Sequence, residues 1–308
     1  MSVRSALKGL LEAALARSGI PALHRATRVK HSLVLAYHNV VPDDCAPFGD
    51  RSLHLPRRQF VRQLERLLAT HTVVPLDDVL APAAPRQRPR VAITFDDGYR
   101  GAVLIAVEEL AQRGLPATLF VVPGFLGRGP YWWDAVASPA GGGIDPGLRT
   151  RALQDFAGKD AAIRRWLERE GRPLASVPEW ARVASEDELR AAIRHPGIML
   201  APHTWSHPNL LRLSPPERAE ELARPLRWLH ERYARVVPWL SYPYGLANGA
   251  VAAAAAAAGY TAALSLSGGS FAPARVNRYA VPRLNVPSGL SPNGFVLRSS
   301  GLYAPQPS

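Results

Sequence analysis

The sequence predicts an α/β protein whose parallel strands deliver chemistry at their C-terminal ends, and three stretches carry that prediction. Val91-Ala92-Ile93-Thr94-Phe95 is a run of strand formers that stops at two adjacent carboxylates and a glycine, Asp96-Asp97-Gly98. Acids at the end of a buried strand stand where α/β folds place their sites, and Gly98 permits a tight exit that brings backbone close to a ligand. Residues 101–113 then show helical periodicity and end at Gly114, a C′ glycine, before a further strand run, Ala117-Thr118-Leu119-Phe120-Val121-Val122. Strand, helix, strand in this rhythm is a βαβ unit with parallel strands. Third, the strand-like Ile198-Met199-Leu200-Ala201 runs into His203-Thr204-Trp205-Ser206-His207-Pro208.

The chain has 308 residues, 47% hydrophobic and 20% charged, enough for one large α/β domain or two smaller ones and unlike a disordered chain. Its net charge of +12 favours anionic glycans, phosphate-bearing carriers or a membrane surface. Nucleic acid is not an expected partner, because no recognition module or aromatic-and-basic motif accompanies the charge. Cys45 is the single cysteine, which excludes an intrachain disulfide and a multi-cysteine zinc site. No stretch reaches the length of a membrane-spanning helix or has the apolar core of a signal peptide, so a cytoplasmic protein, peripheral to the membrane at most, is expected.

Taken in order, residues 1–30 carry Arg4, Lys8, Arg17, Arg25, Arg28 and Lys30 against one acid, Glu12. Leu7, Leu10, Leu11 and Leu15 recur at helical spacing, followed by Ile20 and Leu23. Two readings stand here: a basic helix packed on the domain, or an amphipathic foot on an anionic membrane. Ser32–Tyr37 is strand-like and ends at His38; Phe60, Leu64, Leu67 and Leu68 mark an amphipathic helix. Three prolines and three basic residues make 81–90 a surface loop. Tyr131-Trp132-Trp133-Asp134 follows a strand, placed either to stack a sugar ring or to pack over the barrel mouth. Residues 138–184, opened by Gly141-Gly142-Gly143, read as an insertion with too few apolar positions for a core of its own. Ser185-Glu186-Asp187-Glu188 is a capping box, and Ser214-Pro215-Pro216-Glu217 starts another helix in the same way. Pro225 is expected to kink or divide that helix. Strands are expected over about 236–242, 261–266 and 279–286, with the alanine run 252–258 a helix between Asn248 and Gly259. The expected organisation is a basic N-terminal segment over 1–30, a catalytic domain over 31–290 and a C-terminal tail over 291–308.

His203 and His207 stand four apart, a spacing at which one helical turn can offer two imidazoles to zinc. Pro202 and Pro208 bracket them, so a turn or a single helical turn must supply the geometry. A carboxylate from a neighbouring strand would make three ligands and leave a position open for water and substrate. Asp96 and Asp97, adjacent at a strand end, project in different directions, so one can bind a metal while the other handles a proton. Each motif alone also fits a bland reading, an Asp-Asp-Gly turn or a surface histidine pair; their joint presence is harder to explain that way.

With these residues in view, the chain resembles the polysaccharide deacetylases of the NodB-homology type, carbohydrate esterase family 4. Thr94-Phe95-Asp96-Asp97-Gly98 is similar to that family's first motif, His203–Pro208 to its second and Ser241-Tyr242-Pro243-Tyr244-Gly245 to its third, with the likeness running over about 33–287. The resemblance implies a deformed (β/α) barrel with its site at the C-terminal strand ends. It implies a divalent metal, usually zinc, on Asp97, His203 and His207, Asp96 as the base, and the Tyr244 backbone N–H as an oxyanion donor. The third motif usually opens with an arginine, where this chain has Ser241; the fourth has no counterpart, and no histidine follows His230 to act as the usual late general acid. Tyr37-His38 resembles a subgroup in which an early histidine takes that part, which makes His38 the expected acid. Arg283 is the candidate replacement for the missing arginine, and Trp132, Trp133 and Tyr242 are candidate substrate or support residues. The expected activity is metal-dependent removal of N-acetyl groups from amino sugars of a glycan or carrier-linked precursor. The rivals are hydrolysis of a formamide or cyclic imide, and a glycan-binding pseudoenzyme that keeps its metal.

Overall fold

A computed structural model describes residues 3–82, 88–138 and 143–302, with side chains from residue 7 onward. Residues 83–87 of the 81–90 loop, Gly141, Gly142 and the Arg4 side chain lie outside the described residues. The strands are β1 (Ser32–Tyr37), β2 (Asn39–Val41), β3 (His54–Pro56), β4 (Thr72–Val73), β5 (Arg90–Phe95), β6 (Ala117–Val121), β7 (Ile198–Pro202), β8 (Trp239–Ser241), β9 (Ala262–Ser265), β10 (Val281–Pro282) and β11 (Leu284–Asn285). The helices are α1 (Val3–Arg17), α2 (Ile20–Thr27), α3 (Arg57–Thr70), α4 (Val107–Ala111), α5 (Trp132–Val136), α6 (Pro146–Gln154), α7 (Asp160–Arg169), α8 (Glu186–Ala192), α9 (Pro215–Arg232), α10 (Gly249–Ala257) and α11 (Pro292–Ser299).

The strands form a barrel in two arcs. One runs β11-β1-β5-β6-β7 with β4 added beside β5, the other β10-β9-β8, and all these pairings are parallel. The arcs meet where Leu200 bridges Val236, and again where the chain crosses at Arg283 from β10 to β11. Closure is therefore incomplete on both seams, which is the deformation. Strand alternation sorts the side chains. Val34, Ala92, Phe120, Ala201, Trp239 and Leu264 pack together inside the barrel, while Leu33, Leu35, Ile93, Phe95, Leu119 and Leu200 face the surrounding helices. By the same alternation Asp96, His38 and His203 continue the inward series past the ends of β5, β1 and β7.

Several local expectations change. The 236–242 run shortens to Trp239–Ser241, because Pro238 has no donor for the ladder. The 279–286 run is two short strands, one in each arc, divided by Arg283. Pro225 does not divide α9, which continues through it with Pro225 buried on its inner face beside Leu222 and Leu229. The helix after Gly101 opens with a π-helical stretch, Ala102–Ala106. A Cβ at Gly101 would meet Val40 O at 2.2 Å and Asn39 Oδ1 at 2.4 Å, so only glycine lets this helix start against β2. The stretch read as a tail contains α11, whose Phe295 and Leu297 are buried. Both capping boxes form, at Ser185/Glu188 and Ser214/Glu217. The insertion adds Leu148, Ala152, Ile163, Trp166 and Leu167 to the main core, and its described residues build no core of their own.

Candidate active site

The mouth of the barrel holds a cavity of about 210 Å³ to which β1, β5, β7, β8 and β11 each send a residue at or just past their C-terminal ends. His38, Asp96, Asp97, His203, His207 and Tyr244 line it, so the structure brings together the residues singled out from three separate motifs and the Tyr37-His38 pair. The backbone is bent to do this. Asp97 (φ 71°), Thr204 (φ 65°), His207 (φ 57°) and Tyr244 (φ 59°) occupy the left-handed region, which costs about 1–3 kcal/mol each. Each turns the chain sharply just past a strand end. Thr204 Oγ1 secures one of these turns by accepting from the His207 N–H at 3.0 Å, and the Tyr131 hydroxyl secures another by donating to Asp97 O at 2.7 Å.

Three donor atoms converge. His203 Nε2 and His207 Nε2 are 3.2 Å apart, and Asp97 Oδ1 lies 3.4 Å from the first and 3.3 Å from the second. Zinc takes nitrogen and oxygen ligands at about 2.0–2.1 Å, so the edges of its tetrahedron measure roughly 3.3–3.4 Å. The triangle has that size. Asp97 Oδ1 has no regular hydrogen bond although it is buried. His203 Nδ1 lies 2.7 Å from Ser241 O; donating there leaves the Nε2 lone pair facing the other two donors. The residues present fit a divalent cation.

Asp96 is held apart from this triangle. Arg283 Nη1 donates to Oδ1 and Nη2 to Oδ2, both at 2.7 Å, and the Ser241 hydroxyl donates to Oδ2 at 3.1 Å. Arg283 also donates to Ser241 Oγ at 2.7 Å and to Thr94 Oγ1 at 3.2 Å, with its guanidinium fully buried over Phe120. The serine at the third motif and the arginine at the β10–β11 crossing thus act on one carboxylate. Burial pushes the Asp96 carboxyl up, but the Arg283 charge and hydrogen bonds, joined by the His203 and His38 charges, together outweigh it and hold the group below the ordinary carboxylate range. Burial likewise opposes ionisation of Asp97, yet the facing imidazoles hold it well below that range. Burial lowers His207, whereas in His203 the charges of Asp96 and Asp97 overcome burial and raise it.

The aromatic segment forms wall. Trp132 and Trp133 are 1% and 5% exposed, too little to stack an open sugar ring. Trp133 lies parallel to Tyr131 at 4.3 Å and against His207 at 4.9 Å. Its indole N–H donates to the Tyr99 hydroxyl (2.8 Å), which donates to Asp134 Oδ2 (2.6 Å). His54 Nε2 stands 3.0 Å from Asp134 Oδ1, completing a buried support behind the histidines. Tyr242 contributes a ring to the cavity but turns its hydroxyl to Tyr279 O at 3.0 Å. Six lining residues gave no sequence signal as site residues: Asp50, Ser52, Leu53, Leu266, Arg149, which reaches in from the insertion, and Asn285, at the end of β11. A larger groove of about 840 Å³ lies beyond the ends of β6 and β7, lined by Phe125 and Trp205. It contains none of the converging donors, all of which line the smaller cavity.

The polysaccharide deacetylase family model matches residues 83–263. The chain belongs to the polysaccharide deacetylase family. It is 22% identical over 266 residues to YxkH of Bacillus subtilis (strain 168), whose name assigns it provisionally to the polysaccharide deacetylases, covering 85% of this chain and 74% of that one. Among solved structures it is similar to the Streptococcus pyogenes deacetylase PplD (TM-score 0.60, 16% identity, 87% of this chain and 97% of that one). The same holds for the Bacillus cereus polysaccharide deacetylase BC0361 (TM-score 0.61, 16% identity, 88% and 68%) and IcaB from Ammonifex degensii (0.59, 19%, 89% and 97%). At these identities the likeness shows the fold, and the two-arc barrel is the deformed (β/α) barrel of NodB-type deacetylases.

Proposed function

We propose that this family member is a metal-dependent hydrolase that removes N-acetyl groups from amino sugars of a glycan or glycan precursor. One observation supports this above all others. A cation-sized donor triangle and an arginine-clamped aspartate share one cavity, with Asp96 Oδ2 only 3.9 Å from His203 Nε2. Asp97, His203 and His207 would hold the ion, zinc by preference of an N₂O donor set. When bound, it supplies Lewis acidity toward an acyl oxygen and lowers the pKa of a water. Asp96 would take a proton from the attacking water, and Arg283 with Ser241 keeps both its oxygens aimed and ionised. The Tyr244 backbone N–H donates to the developing oxyanion. His38, inward-facing at the end of β1, gives a proton to the leaving nitrogen. The cavity is smaller than the ~300–1,000 Å³ of sites that enclose whole ligands, so an acyl amide and part of one ring enter while the remaining substrate stays outside. The catalytic unit is residues 31–290, with the insertion supplying Arg149 to the mouth.

The test is acetate release from N-acetylglucosamine oligomers, compared with formamides and cyclic imides, after chelation and after zinc is restored. Acetate release that stops on chelation and returns with zinc is the expected result. Turnover of imides alone, or metal-dependent glycan binding with no acetate released, would replace this reading by one of the two rivals.

A further inference from the structure

The first thirty residues do the opposite of what a helix packed on a soluble domain does. On α1 the half-buried positions are Ala13, Ala16 and Glu12, while Leu7, Leu10, Leu11 and Leu15 are 44–70% exposed. Ile20 at 45% and Leu23 at 69% extend the apolar surface onto α2. Of the ten large apolar side chains exposed among the described residues, seven lie between Leu7 and Val29. A cluster of this kind marks an interaction surface rather than scattered exposure. The assembly is nonetheless fixed to the barrel. Ser291 Oγ donates to Glu12 at 2.5 Å, His24 Nδ1 meets Ser300 O at 2.8 Å, and Arg28 Nη1 donates to Ser270 Oγ at 3.0 Å. The exposed leucines therefore belong to a docked helix pair, and Leu7, Leu11 and Leu15 border a groove of about 380 Å³ against α11.

The charge decides the partner. Lys8, Arg17 and Lys30 are exposed and Arg25 and Arg28 half-buried around this surface, while the one acid, Glu12, is engaged by Ser291. A second copy would bring an equally basic rim against this one, and like charges in register repel. A bilayer with anionic headgroups accepts both parts at once: leucines enter the acyl boundary and basic side chains meet headgroup phosphates. We infer that α1 and α2 form an amphipathic foot that seats this protein on an anionic membrane surface. The foot leads into the N-terminal end of β1, whose six residues span about 20 Å. α1 itself lies along α11 on the flank of the barrel, with Glu12 against Ser291 at the start of that helix.

Full-length protein is mixed with phosphatidylcholine vesicles, with and without phosphatidylglycerol, and sedimented across a salt series. The expected result is binding to the anionic vesicles that weakens as salt rises, with little binding to phosphatidylcholine alone. Leu10→Ser with Leu23→Ser, and separately Lys8→Glu with Arg17→Glu, should each weaken binding about tenfold or more, with thermal unfolding and hydrolysis of a soluble substrate unchanged. Equal binding by wild type and both variants overturns the inference. So does a concentration-dependent dimer lost in the leucine variant, with no vesicle binding, which would assign the surface to a second copy. Neither outcome touches the catalytic reading, which is measured on soluble substrate.

Discussion

The mouth of the barrel and the helix pair on its flank invert each other. At the C-terminal ends of the strands the protein buries charge: Asp96, Asp97, His203, His207 and Arg283 are all nearly inaccessible. On α1 and α2 it exposes hydrocarbon. Buried charge is tolerated only where each group meets a partner at good geometry, and it collapses when one partner goes. Exposed leucine costs the folded chain little and can be altered without unfolding it. The lesson is that substitutions at the mouth should report on chemistry and stability together, and those at the foot on association alone.

The largest expected effect separates the two aspartates. His203→Ala and His207→Ala should emerge from gel filtration without zinc and without hydrolysis, because each removes a converging donor. Asp96→Asn should keep its zinc, measured by elemental analysis, and lose about 10²–10⁴-fold in kcat, since an amide cannot take the proton. If Asp96→Asn loses zinc as completely as His203→Ala, the separation of ligand from base is wrong.

Arg283→Met leaves the Asp96 carboxylate buried and unpaired, at a cost of roughly 3–5 kcal/mol in urea unfolding. Adding Asp96→Asn to that variant removes the orphaned charge and should recover a large part of the loss. A double variant no more stable than Arg283→Met would show that the arginine serves packing rather than charge.

At the opposite end, His71 is 4% exposed between α3 and the α11 region. Burial and then the nearby Arg25 charge lower it to about 4 from 6.5, against a backbone contact with Ser299. Its folded pKa lies below its unfolded one, so the neutral form is the one the fold prefers. That contribution is complete above pH 6.5 and is lost as pH falls from 6.5 toward 4, up to about 3 kcal/mol at 1.36 kcal/mol per unit. Urea unfolding at pH 7 and pH 5 should show His71→Gln losing less stability on acidification than wild type. Parallel losses would place the acid sensitivity elsewhere, at the mouth.

His38→Ala should fold, keep zinc and lose about a hundredfold in turnover of an N-acetyl sugar. The loss should shrink on p-nitrophenyl acetate, whose leaving group departs without a proton. An equal loss on both substrates would make His38 a positioning residue for the cavity.

The chain revealed by local pattern whatever local chemistry enforces. Strand formers ending in Asp96-Asp97, histidines four apart beside Pro202 and Pro208, and both capping boxes are rules acting within a few residues, and the structure keeps all of them. The parallel strands followed from the βαβ rhythm in the same way, whereas the barrel was what the family resemblance implied. What the sequence could not show is convergence across long separations. Arg283 clamps Asp96 from 187 positions away, because the chain changes arcs at that residue and carries its side chain into the barrel. Arg149 arrives from an insertion, and Asn285 from a strand two residues long. Trp132 and Trp133 could face solvent or core on their pattern alone, and packing against Tyr131 and His207 decided for core. The leucines of α1 had the spacing of a buried face, and only the docking of α1 through its alanines turned them outward. Periodicity fixes which residues share a side of an element; which side meets the rest of the molecule is a property of the assembled fold.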